Sequence, residues 1–117
     1  MVKYSIITVC LNSESTIERC LKSVKSQKVT NYEHIVIDGL STDGTLAIVE
    51  KYNVSQCISE KDAGIYDAMN KGASLATGSY ILFLNSDDEL EPNYLLECEK
   101  KIVHEDFVSV GIKMIRE

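Results

Sequence analysis

Asp87 and Asp88 follow directly on Asn85-Ser86, so an amide, a hydroxyl and two adjacent carboxylates arrive within one short stretch. Hard oxygen ligands of this kind suit Mg²⁺ or Mn²⁺, which keep several waters and complete their coordination with substrate phosphate. The same residues are ordinary turn and helix-cap chemistry, and their position after an apolar run keeps both readings open. They end Tyr80-Ile81-Leu82-Phe83-Leu84, an apolar run without polar alternation. Such a run is the pattern of a strand covered on both faces in a parallel sheet. Ligands of open α/β sheets bind just beyond the carboxyl ends of the strands. Asn12 and Glu14 stand after a first apolar run, and Asp38 after a second. Lys71 is a candidate cation for an anionic ligand, and a solvated helix lysine is the competing reading.

The elements that must position these groups are read from periodicity. Residues 1–11 read as a first strand, and Ile17, Cys20, Leu21 and Val24 then recur at i, i+3, i+4, i+7, the stripe of an amphipathic helix. Ser15 and Glu18 have the spacing of a capping box. A second strand at 34–37 runs into the turn-rich segment 38–45, with Asp43 as an N-cap for the helix carrying Leu46, Ile48, Val49 and Tyr52. A weaker strand spans 54–59. Beyond the polar stretch 60–64, a helix places Ile65, Ala68, Met69 and Gly72 on one face and ends at Gly78, expected as a left-handed cap. The run at 80–84 is expected to be central in the sheet. Pro92 suits the first position of a last helix with Leu95, Cys98 and Ile102 as its stripe, and 107–112 is expected as a fifth strand. Strands alternating with helices, without linker or repeat, predict an α/β fold, a Rossmann-like three-layer sandwich with a mostly parallel sheet. Right-handed crossovers bring all parallel carboxyl ends to one rim, and the polar residues named above with them.

Composition removes several function classes. With 117 residues, 44% hydrophobic and 26% charged, the chain can bury a core as one domain or part of one. A net charge of −6 and the lack of a Lys/Arg stripe argue against a nucleic-acid partner. No apolar run is long enough for a transmembrane helix. Cys10, Cys20, Cys57 and Cys98 are far apart with no C-x-x-C spacing, which predicts reduced thiols and a cytoplasmic setting, at most peripheral to a membrane. No basic residue flanks Cys10 to favour a thiolate, so it is not expected to be a nucleophile. Gly39 and Gly44 have the first spacing of a phosphate loop, but Thr45-Leu46 replaces the Lys-Ser/Thr pair and no G-x-G-x-x-G occurs.

Four blocks taken together resemble the nucleotide-binding half of family 2 glycosyltransferases, inverting enzymes of the GT-A fold. They are Ser5-Ile6-Ile7-Thr8-Val9-Cys10-Leu11-Asn12, Ile35-Val36-Ile37-Asp38-Gly39-Leu40-Ser41-Thr42-Asp43-Gly44-Thr45, Ile65-Tyr66-Asp67-Ala68-Met69-Asn70-Lys71-Gly72 and Leu84-Asn85-Ser86-Asp87-Asp88, in that order. The resemblance implies that residues 1–117 are the nucleotide-sugar-binding part of a glycosyltransferase, apparently truncated before the acceptor-binding half. It implies a UDP- or GDP-sugar donor, a saccharide or lipid-linked hydroxyl acceptor, a Mg²⁺ or Mn²⁺ ion, and a role in cell-surface polysaccharide synthesis. Thr8, Cys10 and Glu14 are then expected to line the base and ribose pocket, and Asp38 or Gly39 to meet the base. Asn12 and Ser86 are expected among the nucleotide-sugar-binding residues, Lys71 as a supplementary cation for the diphosphate, Asp87 near the ribose, and Asp87 with Asp88 at the metal, Asp88 holding the ion. Many members carry a second acid where Gly39 stands here. Tyr66 and Asp67, just inside a helix start, are weaker candidates for facing substrate.

The catalytic base of the resembled family comes from sequence well beyond the metal motif, and Glu97, Glu99, Glu105 and Asp106 read as surface and turn charges. A non-catalytic nucleotide-sugar-binding module is therefore the alternative, and a nucleotidyltransferase a more remote one. Helices and strands built for a larger sheet leave a flank uncovered, which predicts self-association.

Overall fold

The structure, a computed structural model, describes residues 2–104 and 114–116, with side chains as far as residue 101. Tyr4–Cys10 (β1) and Tyr32–Asp38 (β2) are almost wholly buried and form the middle of a parallel four-stranded sheet. Gln56–Ser59 (β3) and Tyr80–Phe83 (β4) flank them in the order β3-β2-β1-β4. In register, Ile7 stands opposite Ile35 on one side and Phe83 on the other. β-branched residues dominate β1 and β2 because side chains leave a strand alternately and here both faces are covered.

Helices cover those faces unequally. Ile17–Lys25 (α1) buries Ile17, Cys20, Leu21 and Val24, the stripe its spacing predicts. Thr45–Lys51 (α2) lies against α1, with Val49 in the cluster that holds Cys10, Leu21 and Val36. Tyr94–His104 (α4) adds Tyr94, Leu95 and Cys98 to the cluster of Tyr4, Ile6 and Cys20 on the same side. Ile65–Leu75 (α3) covers the opposite face, where Ala68 packs with Ile7, Ile35 and Ile37. Three layers result. α3 can sit this close because residue 72 is glycine: a Cβ there would collide with Ile7 Cγ2 and lie 3.4 Å from Ile37 Cγ1.

Several local expectations are corrected. Among the described residues β4 is an edge strand, not a central one, and Ile81 is 42% exposed. No capping box forms at α1: Thr16 is its N-cap, and the Glu18 carboxylate accepts from the Tyr52 hydroxyl at 2.7 Å instead. α3 ends at Leu75, and Gly78 is not left-handed. It is required for close approach, since a Cβ would meet Ser5 Oγ at 2.7 Å and Lys3 O at 2.9 Å. Pro92 stands two residues before α4 rather than at its first position. Asp88–Leu90 (β5) pairs antiparallel with Met114–Arg116 (β6), a small second sheet that periodicity did not suggest. The strand expected at 107–112 lies outside the described residues.

A histidine is buried in the core. His34 is 4% exposed and its Nε2 lies 2.8 Å from Thr8 Oγ1. Burial, with a smaller push from Lys25, lowers its pKa to about 4. A buried neutral histidine must take up its proton against that burial, so the unfolded chain, with its histidine near 6.5, binds protons first. Stability is therefore complete above about pH 6.5 and falls as the pH drops toward 4, by about 1.4 kcal/mol per pH unit. Thermal melts between pH 7 and 4.5 should record this slope in the wild type and a flatter one in His34→Gln. A second check is Gly72→Ala, expected to lower stability by about 1–3 kcal/mol through overpacking against Ile7.

Candidate functional site

Strand order locates the site. The chain steps from β1 to β2 to β3 in one direction, then returns by α3 to place β4 on the other side of β1. Where the order of a doubly wound sheet reverses, the loops leaving two neighbouring strands part and open a crevice. A cleft of about 530 Å³ lies there. Its walls are Val9 to Ser13 after β1, Asn85 to Asp87 after β4, and Asp62, Gly64, Ile65 and Ala68 at the start of α3.

The acidic stretch divides between cleft and core. The Asp88 N–H donates to Asn85 O at 3.0 Å, closing a turn whose exposed residue is Asp87. Asp87 lines the cleft, whereas Asp88 is 1% exposed and absent from its lining. Asp88 lies instead on the α1 side, near enough to help burial raise the Cys20 thiol to about 12. Of the two carboxylates expected at the metal, Asp87 is the one that lines the cleft, and Asp88 stands outside its lining. Ser86 is held from across the cleft, its Oγ 2.9 Å from Ser13 Oγ.

Asp38 is also withdrawn. Its carboxylate is wholly buried and accepts from Ser41 N–H at 2.9 Å, Ser41 Oγ at 2.5 Å, Ser59 Oγ at 2.8 Å and Cys10 Sγ at 3.4 Å. Burial alone would raise its pKa, but the bonds from Ser41 and Ser59 outweigh that and hold it below the usual carboxylate range. Burial, then Asp38, pushes the Cys10 thiol up, which leaves it a protonated donor. Thr8 faces the core beneath the cleft, bonded to His34.

The remaining sequence candidates tie loops together. Asn12, at φ 50°, lines the cleft while its Oδ1 accepts from Thr42 N–H at 2.8 Å. The Glu14 carboxylate accepts from Gly44 N–H at 2.9 Å, and Asp43 accepts from Thr45 N–H and Oγ1, capping α2 from one residue before its N-cap. Lys71 Nζ donates to Lys61 O at 2.9 Å and pairs with Glu60 and Asp67, which fastens the segment before α3 rather than reaching the cleft. Cys10, Asn12, Ser86 and Asp87 are thus brought together at the cleft; Thr8, Glu14, Asp38, Gly39, Lys71 and Asp88 are not among its lining. Tyr66 is 78% exposed and outside the lining too.

Sequence reasoning passed over Ser13 and Asp62. Ser13 sat unremarked in a helix-start segment, and Asp62 in a polar loop, where the signal was a carboxylate two residues before Gly64, a glycine at φ 118°. The donor set in the cleft fits a hard divalent ion. One carboxylate, Asp87, stands beside the Ser86 hydroxyl and Asn85 amide, and ions of the Mg²⁺ type take one or two carboxylates, completing their shell with water and phosphate. Among the described residues no cage of three acidic, histidine or cysteine side chains is assembled.

A parallel sheet with its crevice at the switch point and acid beyond the neighbouring strand is the arrangement of an open α/β sheet with a ligand crevice at its rim. The chain matches Glycosyl transferase family 2 over residues 5–117 and belongs to that family. A "PGL/p-HBAD biosynthesis glycosyltransferase" of Mycobacterium bovis is 40% identical over 92 residues, covering 74% of this chain and 36% of the relative. The S. aureus TarS 1-349 structure in complex with UDP-GlcNAc superposes with a TM-score of 0.85 at 30% identity, covering 90% of this chain and 32% of that one. Mannosyltransferase PcManGT from Pyrobaculum calidifontis, solved with GDP-Man and Mn²⁺, shares the fold at a TM-score of 0.76 and 23% identity, over 84% of this chain and 31% of that one. The chain spans about a third of the length of the mycobacterial relative and of the TarS 1-349 chain.

Asp38→Ala removes the acceptor for three hydroxyl or thiol donors at once. Urea denaturation should give a loss of about 1–3 kcal/mol, the cost of leaving buried donors unsatisfied; an unchanged midpoint would show that this carboxylate does not tie the rim.

Proposed function

We propose that this chain is the donor-binding part of a metal-dependent, inverting glycosyltransferase that passes a sugar from a UDP- or GDP-sugar to a hydroxyl of a saccharide or lipid-linked acceptor. The reading places it in cell-surface polysaccharide synthesis, in the cytoplasm, with at most a peripheral place at the membrane. The observation that carries it is the cleft at the β1/β4 switch point, with Asp87 presented from the end of β4. The UDP-GlcNAc bound to TarS and the GDP-Man and Mn²⁺ bound to PcManGT support it.

In this reading the diphosphate lies toward Asn85-Ser86-Asp87. Asp87 would hold a divalent ion there, and the Ser13 to Ser86 hydrogen bond fixes the turn that presents it. When bound, such an ion supplies the positive charge that offsets the charge developing on the departing diphosphate. Leu11 and Ile65 narrow the cleft and exclude water from the bound donor. Asn12 keeps the loop after β1 in place through Thr42. Inverting transfer also needs a general base within hydrogen-bond reach of the acceptor hydroxyl. The acids that line the cleft among the described residues are Asp62 and Asp87.

Calorimetric titration of UDP and GDP with and without Mn²⁺ tests the metal assignment. Asp87→Asn should abolish the metal-dependent part of the affinity with little change in the thermal midpoint, because this side chain is exposed. Asp88→Asn should keep that part in the folded protein and lower the midpoint instead. Undiminished metal-dependent affinity in Asp87→Asn would remove Asp87 from the role.

A further inference from the structure

The wall of the cleft next to Gly39 is built by a residue from another loop. A Cβ on Gly39 would lie 2.9 Å from Asp62 Oδ2 and 3.7 Å from Leu11 Cδ1, so the Asp62 carboxylate occupies the space a side chain at position 39 would take. Asp62 is anchored there by its other oxygen, which accepts from Gly64 N–H at 3.1 Å. Lys71 Nζ, bonded to Lys61 O, fastens the same loop to α3. Around this carboxylate the cleft is apolar: Leu11 and Ile65 line it at 58% and 51% exposed, with Val9 and Ala68 behind them. Large aliphatic side chains left open to solvent beside one fixed carboxylate oxygen suit a flat ring with a hydrogen-bond donor on its edge.

We propose that Asp62 is the residue that reads the nucleobase, its Oδ2 accepting the ring N–H of uracil or guanine while Leu11 and Ile65 cover the ring faces. This rests on the nucleotide-sugar reading of the cleft. Asp38, the strand-end acid, has no part in it because its oxygens are taken by Ser41, Ser59 and Cys10. Uracil and guanine present an N–H on the edge that would meet Asp62. Cytosine and adenine present a bare ring nitrogen there, an acceptor facing an acceptor, and a polar group left unpaired in a partly desolvated site costs affinity. The two ends of the ligand are then held by different walls, the base by the β3–α3 loop and the diphosphate by the turn after β4.

Isothermal titration of UDP, GDP, CDP, ADP and inorganic diphosphate, all with Mn²⁺, into the wild-type chain, Asp62→Asn and Gly39→Ala tests this. The wild type should bind UDP or GDP about tenfold or more tightly than CDP and ADP. Asp62→Asn keeps an oxygen for Gly64 N–H but can donate as well as accept, so the four nucleotides should fall within about threefold of one another. Gly39→Ala displaces the carboxylate without removing it and should lose the same discrimination. Diphosphate affinity should be unchanged in both variants. Discrimination retained in folded Asp62→Asn, or absent from the wild type, overturns the inference and leaves the donor-binding reading standing. Failure of the wild type to bind any of the five ligands overturns that reading and this inference with it.

Discussion

A buried carboxylate holds the functional rim of this protein together. Asp38 ends β2, and its two oxygens collect donors from the end of β1 through Cys10, from the end of β3 through Ser59, and from the following loop through Ser41. An ionised group with no exposed surface persists only where hydrogen bonds replace the water it has lost. Here four donors do so, and the result is a fixed spacing between three parallel strand ends. The Asn12 to Thr42 and Glu14 to Gly44 bonds extend the same clasp outward, joining the loop after β1 to the loop after β2. That is why one side of the cleft is rigidly defined before any ligand arrives.

The other side depends on the sheet's order. Because β4 returns to the far side of β1, the loop after β4 stands apart from the clasp and is joined to it by the Ser13 to Ser86 hydrogen bond. A crevice lined by a hydroxyl bridge, an exposed carboxylate and an aliphatic wall follows from that separation. Glycines serve this arrangement in different ways. Gly72 lets α3 approach the sheet, and Gly64 turns the chain at φ 118° into α3, where it receives the Asp62 anchor.

Membership of family 2 glycosyltransferases gives this geometry its context. The acids at strand ends are not equivalent. Asp38 and Asp88 are buried, whereas Asp87 and Asp62 line the cleft. Between Asp87 and Asp88 the division follows from the turn closed onto Asn85 and from β5, which begins at Asp88 and packs on α1.

The sequence by itself determined the layered α/β architecture, because periodicity is a local property of the chain. The stripe of Ile17, Cys20, Leu21 and Val24 is buried as read, and continuous apolar runs at β1 and β2 became the interior strands. It also placed the polar strand ends on one rim and marked the four blocks that carry the family. Which of those polar residues line the cleft was decided by tertiary structure alone. Asp87 and Asp88 are neighbours of the same type, and only the turn closed onto Asn85, with β5 packed on α1, sends one outward and the other into the core. Asp38 carries no sign in the sequence that Ser41, Ser59 and Cys10 will consume it. Asp62 reaches Gly39 across 23 residues of chain, a proximity set by the pairing of β2 with β3 and invisible to any local pattern.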